Sequence, residues 1–237
     1  MAEDKKMAVL IDAENVSDKY IKYIFEELSG YPYTITYKRI YGDWTGTRLS
    51  GWKGTLLQYS INPIQQYSYT TGKNASDSAL IIDAMDILYT GQVDGFCIVS
   101  SDSDFTRLAS RLRESGMYVL GMGEKKTPSA FITACEAFKY LEVISGDTAK
   151  TASIDKNDLD KIVKVIKKIV DEDSDEDGRI PLSIVGSQLL KKMPDFDVRN
   201  YGYSKLSSML KSTKSFNVEF HRSKEAGSSP MVYILNK

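Results

Sequence analysis

The sequence has few of the residues on which most metal and nucleophilic sites depend. Its 237 residues include one histidine, His221, and two cysteines, Cys97 and Cys135, both in apolar stretches typical of buried thiols. A structural zinc site needs more sulfur and imidazole ligands than this. A Ser-His-Asp or Cys-His mechanism would have to use His221, near the end of the chain. Both classes of site are therefore disfavoured.

The chain also lacks a large net charge and a long apolar run. Lysine and arginine number 31 against 32 acidic residues, for a net charge of −1, so the total charge gives no argument for nucleic-acid binding. No window approaches the roughly 20 apolar residues of a membrane span, and residues 1–16 show no signal peptide. We expect no membrane association and a cytoplasmic location.

Short apolar runs alternate with amphipathic segments through the first 147 residues. The predicted strands are 7–12, 34–43, 95–101, 117–124 and 142–145. The predicted helices are 17–29, 47–60, 77–91 with Ser76 as its N-cap, 104–116 and 128–141. Apolar strands that alternate with helices are typical of the α/β class, with a parallel sheet covered on both faces.

The character of the sequence changes after residue 147. Residues 148–156 are small and polar and predict a linker. Beyond it the pattern predicts three helices, at 157–171, 181–193 and 203–212, and then a two-stranded terminal hairpin. Helices followed by such a hairpin are typical of a winged-helix domain.

Acidic residues lie where ligands bind in an open parallel sheet, beyond the carboxyl ends of the strands. Asp12 ends the first strand, and Asp102 and Asp104 follow the strand 95–101. Asp77 begins the predicted helix 77–91, which precedes that strand. Converging carboxylates repel one another unless a cation lies among them, and oxygen ligands alone suit Mg²⁺ or Mn²⁺. Such an ion supports phosphodiester hydrolysis. Alternatively, each aspartate forms a turn or caps a helix, as Asp104 could.

Two further aspartates, Asp83 and Asp86, lie on the helix that Asp77 begins. At about 100° per residue they share a face with Ala79, opposite the apolar positions. We expect that face to be solvated, and we keep Asp83 as a secondary acidic candidate for the rim of the site.

Several segments around these carboxylates resemble the NYN domain family, the limkain-type branch of the PIN-like nucleases. The matching segments are IDAENV (11–16), KRIYGDW (38–44), 61–89, VDGFCIVSSDSDFTRLASRLRESG (93–116) and GMGEKKTPSAF (121–131). The resemblance implies that residues 1–147 form a Rossmann-like, PIN-type nuclease domain that uses a divalent metal.

The resemblance also implies roles for particular residues. Asp12, Asp77, Asp102 and Asp104 would hold the metal, and Asn15 would orient a ligand or a bound water. Many relatives read Ser-Gly-Asp-Ser-Asp-Phe where this chain has Ser at position 101, a change that retains every carboxylate. Residues 157–237 resemble a LOTUS domain, also called OST-HTH, through the segment 177–212 and the terminal VYIL. That family is implicated in binding RNA and, in some members, proteins.

Basic and aromatic residues in both domains are candidates for binding single-stranded or structured RNA. In the first domain Trp44, Arg48 and Lys53 cluster with Trp52, and Lys73 lies close to Asp77 along the chain. Either tryptophan could instead pack against the sheet. In the second domain the candidates are Lys192, Arg199, Tyr203 and Lys205. Ordinary surface residues explain half of such a set equally well.

Three functions compete at this point. The first is a metal-dependent ribonuclease whose second domain selects RNA or a protein partner. The second is a non-catalytic RNA-binding or scaffold protein that retains the fold, and the third is a nuclease for DNA or a phosphatase. Retention of all four aspartates favours the first. Dimers are common among similar folds, but no residue here argues for a homodimer.

Overall fold

A computed structural model describes residues 4–67, 75–147, 156–221 and 231–237. The chain divides into two compact units, Met1–Asp147 and Thr148–Lys237. Lys73 lies outside the described residues, as do the other residues of 68–74 and the connection between the last two strands.

The first unit is built on a parallel sheet in the order β3-β2-β1-β4-β5-β6. The strands are β1 (Lys6–Asp12), β2 (Thr34–Gly42), β3 (Asn62–Gln65), β4 (Gly95–Val99), β5 (Tyr118–Gly123) and β6 (Ala137–Tyr140). Each neighbouring pair is parallel. The α/β fold predicted from the sequence is confirmed.

Helices cover both faces of this sheet. They are α1 (Ile21–Leu28), α2 (Trp52–Tyr59), α3 (Ala75–Thr90), α4 (Thr106–Glu114), α5 (Ser129–Ala134) and α6 (Leu141–Ile144). Because successive strand residues point to opposite faces, Val9 of β1 joins the core under α1, α2 and α6, whereas Leu10 joins the core under α3, α4 and α5. The central strands are therefore buried on both sides.

The prediction for residues 128–145 is right only as far as Ala134. A helix was expected through 141 and a strand after it, but α5 ends at Ala134, the chain then forms β6, and α6 occupies Leu141–Ile144. An apolar run such as AFKYLEVI fits either structure by its pattern, and tertiary pairing decides here. Leu120 and Ala137 are partners across β5 and β6, and the ring of Phe138 lies where a side chain at Gly121 would be.

The starts of α2 and α3 also differ from those expected. Ser76 was expected to cap α3, but the helix begins at Ala75 and Ser76 lies in its first turn. The helix expected over 47–60 begins only at Trp52.

Both cysteines are buried free thiols, as expected. Burial raises the pKa of Cys135 to about 12 and raises that of Cys97 further.

The second unit has its own small core. Its elements are α7 (Lys156–Asp173), β7 (Ile180–Pro181), α8 (Leu182–Lys192), α9 (Leu206–Thr213), β8 (Phe216–His221) and β9 (Met231–Asn236). The expected hairpin β8–β9 is present and gains a third strand, because β7 pairs antiparallel with β9. Buried residues such as Ile166, Leu189 and Met209 join the three helices. None of the described helices is long and apolar enough to cross a membrane.

Candidate functional site

The strand order fixes where a site can form. Chain segments leave β1 and β4 toward opposite edges of the sheet, since β1 is followed by β2 on one side and β4 by β5 on the other. Ligands of open α/β sheets bind beyond the carboxyl ends of the strands at such a switch point. Asp12 is the last residue of β1, and Ser100 directly follows β4.

Asp12 is held in place by its neighbours. One carboxylate oxygen accepts hydrogen bonds from the backbone N–H groups of Glu14 and Asn15, at 3.0 and 3.2 Å. The other accepts from Asn15 Nδ2 and Ser100 Oγ, both at 2.7 Å. Burial raises the pKa of Asp12 and these hydrogen bonds oppose the rise. Ser100 thus ties the end of β1 to the end of β4.

Asp77 lies in the first turn of α3 with only 6 % of its surface exposed. Its pKa is raised to about 7, first by burial and then by the charges of Asp12, Asp102, Asp104 and Glu14. The four predicted aspartates come from three separate segments, and the charges of the other three act on Asp77 at the switch point.

Asp102 and Asp104 differ in their surroundings. The backbone N–H of Asp102 donates to Ser100 Oγ at 3.1 Å, and Asp102 Oδ1 accepts from the backbone N–H of Asp104 at 2.9 Å. Asp102 therefore caps the 3-10 turn Ser103–Phe105, the role that sequence reasoning allowed for Asp104. The side chain of Asp104 is exposed.

Glu14 is a carboxylate near the site that the sequence analysis did not select. Its Oε2 lies 3.4 Å from Ser76 Oγ and 3.6 Å from Arg48 Nη2. Its charge also contributes to the raised pKa of Asp77. The available signal was its position two residues after Asp12, in the loop that leaves β1.

The donor set at the switch point suits a hard divalent cation, because it consists of carboxylates. Burial of Asp77, followed by the charges of the other carboxylates, opposes the ionised form of its side chain. However, among the residues that the structure describes, no three acidic, histidine or cysteine side chains form a group that could hold a metal ion. The carboxylates at the switch point are suitable ligands for a metal ion, although their arrangement is not that of a preformed metal site.

Asp83 does not lie on a solvated face, contrary to expectation. Both the Arg39 guanidinium and the Tyr41 hydroxyl of β2 donate hydrogen bonds to its carboxylate. Burial, followed by this carboxylate, raises the pKa of Tyr41. The helical periodicity of the sequence could not predict that Asp83 has hydrogen-bond partners on a strand. Asp83 therefore links α3 to β2, whereas Asp86 is exposed as predicted.

The predicted RNA-binding residues of the first unit divide by exposure. Trp44 packs against the core and its Nε1 donates to the Ile64 carbonyl at 3.0 Å, while Trp52 is only 3 % exposed. Both tryptophans thus pack the sheet, the alternative that the sequence left open. Arg48 and Lys53 are exposed near the loop after β1 and on α2.

In the second unit the predicted RNA-binding residues also have different surroundings. Arg199 makes a two-point contact with Asp197, at 3.0 and 2.7 Å, and Lys192 lies 3.7 Å from Glu172. The Tyr203 hydroxyl accepts from Ser212 Oγ at 2.6 Å. Lys205 is exposed just before α9.

Comparison with known families agrees with the fold. Residues 6–142 match the model of the NYN domain. The chain belongs to the NYN domain family. NYN domains are PIN-like nucleases, and PIN-like nucleases generally use divalent metals. Residues 157–226 of this NYN protein match the OST-HTH/LOTUS domain, a domain that binds RNA.

Two solved structures resemble the NYN protein at low identity. A protein of unknown function from Vibrio parahaemolyticus is 18 % identical, with 58 % of this chain and 93 % of that chain covered and a TM-score of 0.48. An ABC transporter, LacI family transcriptional regulator from Brachyspira murdochii is 11 % identical, with 70 % of this chain and 40 % of that chain covered and a TM-score of 0.30. No curated protein matches the chain.

Proposed function

We propose that the NYN domain hydrolyses RNA phosphodiesters with Mg²⁺ or Mn²⁺ as cofactor. The observation that carries this proposal is the burial of Asp77 in the first turn of α3, where the charges of Asp12, Asp102 and Asp104 all act on its carboxylate at the switch point. A buried carboxylate surrounded by others is a poor arrangement for a purely structural site, because each charge raises the free energy of the next. A divalent cation removes that cost.

The chain's own residues have distinct tasks in this proposal. Asp12, Asp77, Asp102 and Asp104 hold the ion, which when bound supplies an acidified water and neutralises charge on the leaving oxygen. Asn15 Nδ2 and Ser100 Oγ fix the direction of the Asp12 carboxylate through their 2.7 Å hydrogen bonds. Outer hydrogen bonds of this kind orient ligands and affect metal affinity. All these residues belong to one chain, so the proposal does not require a homodimer.

Metal removal tests the proposed reaction directly. We expect purified full-length protein to cut labelled single-stranded RNA with Mn²⁺ or Mg²⁺ and to lose that activity in EDTA, because only a cation can balance the carboxylates during catalysis. The measurement is product formation on denaturing gels, with single-stranded DNA in parallel. Cleavage that persists in EDTA would refute the metal mechanism, and equal cleavage of DNA would refute specificity for RNA.

A second candidate is a non-catalytic RNA-binding or scaffold protein that retains the NYN fold. It is favoured by the absence, within the described part of the chain, of a side-chain group ready to hold a metal. RNA binding without cleavage in every metal tested would support it over the nuclease. Thermal stabilisation by Mn²⁺ would argue the other way, since it requires binding to the folded state.

The OST-HTH domain, in our proposal, holds RNA for the nuclease domain. Two linked modules that bind the same strand bind it more tightly than one, so deleting residues 148–237 should weaken RNA affinity by about 10-fold or more. Cleavage at saturating RNA should change little. Fluorescence anisotropy in EDTA and single-turnover cleavage measure the two quantities. Unchanged affinity would instead assign this domain to a protein partner.

A further inference from the structure

A polar cavity of about 460 Å³ lies beside the carboxylate site. One wall is the loop that follows β1, with Asn15, Ser17 and Asp18, and the other is the segment leading into α2, with Arg48 and Trp52. Its volume falls within the roughly 300–1,000 Å³ of small-molecule sites. The cavity shares Glu14 and Asn15 with the surroundings of Asp12, so its occupant would lie next to the proposed scissile phosphate.

We propose that this cavity receives one base of a single-stranded RNA, and that Asp18 makes guanine the preferred base. The inference rests on the proposed function, because it takes RNA as the substrate of the neighbouring carboxylates. Single-stranded RNA is read through unstacked bases that are hydrogen-bonded on their Watson–Crick edges. A cavity that adjoins a cleavage site is suited to hold such a base.

Arg48 provides the contact to the backbone in this arrangement. Its side chain is 69 % exposed, and its guanidinium lies 3.6 Å from Glu14 at the boundary between the cavity and the carboxylate site. Exposed ion pairs contribute little to stability, so the guanidinium can exchange Glu14 for a phosphate at small cost. Arginine suits that exchange because its planar fork matches phosphate oxygens. A base in the cavity and its phosphate at Arg48 together account for one nucleotide.

Asp18 is the group that gives the cavity a base preference. One of its oxygens accepts a hydrogen bond from Ser17 Oγ at 3.3 Å. Because a carboxylate has about four lone-pair sites, both oxygens can accept further hydrogen bonds. Its other oxygen lies 2.6 Å from where a side-chain carbon at Gly51 would be. The absence of a side chain at Gly51 therefore makes room for the Asp18 carboxylate in the cavity wall.

The chemistry of the bases selects guanine. An ionised carboxylate only accepts hydrogen bonds, and guanine presents two adjacent donors, N1–H and N2–H, which match two carboxylate oxygens. Adenine and cytosine present one amino donor beside a ring acceptor. Uracil presents one N–H between two carbonyl oxygens, which a carboxylate repels. Guanine is thus the base that can satisfy Asp18 at two points.

The test uses the full-length protein in EDTA, so that binding is measured without cleavage. Fluorescence anisotropy would compare short oligouridylates that carry one central guanosine, adenosine or cytidine. We expect the guanosine oligomer to bind about 10-fold more tightly, the lower part of the range for one bidentate base contact. Asp18→Asn should abolish most of that preference, because the amide replaces one acceptor by a donor. The exposed Asp86→Asn should retain it.

A pair of glycine variants provides a second test that does not alter charge. Gly51→Ala would bring a methyl group against the Asp18 carboxylate, whereas nothing lies within 4 Å of a side chain added at Gly54. Gly51 already has a helical backbone conformation, so alanine is tolerated there. We expect Gly51→Ala to reduce the guanosine preference and Gly54→Ala to leave it unchanged.

The outcomes separate this inference from the nuclease proposal. If guanosine binds no more tightly, or if its advantage survives Asp18→Asn, the cavity does not read a base, even if RNA is cut. In the second case the preference would belong to the OST-HTH domain. If Asp18→Asn removes the preference while no metal supports cleavage, the base site stands and the nuclease proposal fails.

Discussion

Replacing Asp102 with asparagine should reduce RNA cleavage by at least about 100-fold, the scale of losses for groups that act on developing charge or support a metal. The substitution removes one negative charge and almost nothing else. The side-chain oxygen of asparagine can still accept the hydrogen bond from the Asp104 N–H, now 2.9 Å long. The loop after β4 should therefore keep its conformation, and the loss should come from the missing charge.

Asp86→Asn is the matched control for this variant. Asp86 is exposed on α3 and has the same charge and size as Asp102, so its replacement should leave cleavage within about twofold, as for most surface changes. The measurement is the single-turnover rate with saturating Mn²⁺. If Asp102→Asn cuts as fast as the wild type, Asp102 is not a metal ligand and the proposed carboxylate set is wrong.

Replacing Asp77 with asparagine should stabilise the metal-free protein at alkaline pH. The folded-state pKa of Asp77 is about 7 and its ordinary value is 3.8. Between these values the folded state binds more protons than the unfolded state, so the stability of the wild type falls as the pH rises toward 7. Asparagine mimics the protonated form and avoids this loss. We expect a gain of roughly 2 kcal/mol at pH 8, after allowance for solvent screening.

The pH dependence and the metal response identify the cause of that gain. It should be smaller at pH 5, where Asp77 is largely protonated in the folded wild type, and Mn²⁺ at pH 8 should reverse it by stabilising the wild type more than the variant. Urea unfolding followed by tryptophan fluorescence measures this domain alone, because Trp44 and Trp52 are the only tryptophans. A variant less stable than the wild type at pH 8 would contradict the electrostatic account.

Pattern alone predicts those parts of this fold in which the sequence repeats with a clear period. The buried strands β4 and β5 lie within the runs predicted for them, and β1 begins one residue before its predicted run. It fails for β6, because residues 137–140 carry an apolar run that suits a helix as well as a strand, and pairing with β5 decides between them. Short elements depend on partners that are distant in sequence, and the periodicity of apolar residues contains no information about those partners.

Part of the candidate site could likewise be predicted from the sequence, and part could not. The position of Asp12, Asp102 and Asp104 at strand ends follows from topology, and the structure gives those carboxylates a common effect on Asp77. The partners of Asp83 could not be foreseen, because Arg39 and Tyr41 reach it from another element. The same limit explains the two tryptophans: whether an aromatic ring is buried or free to stack on a base depends on packing that composition does not reveal.

The reactivity of the two buried thiols can be used to measure how often the first domain unfolds locally. Thiolates rather than thiols react with alkylating reagents, and burial holds the pKa of both Cys97 and Cys135 far above neutrality. In the closed protein both sulfurs are therefore protected from reagent and from air, so Mn²⁺ assays can be run without reductant. Cys97 lies in β4, at the centre of the sheet. Its slow modification would measure how often the sheet itself comes apart.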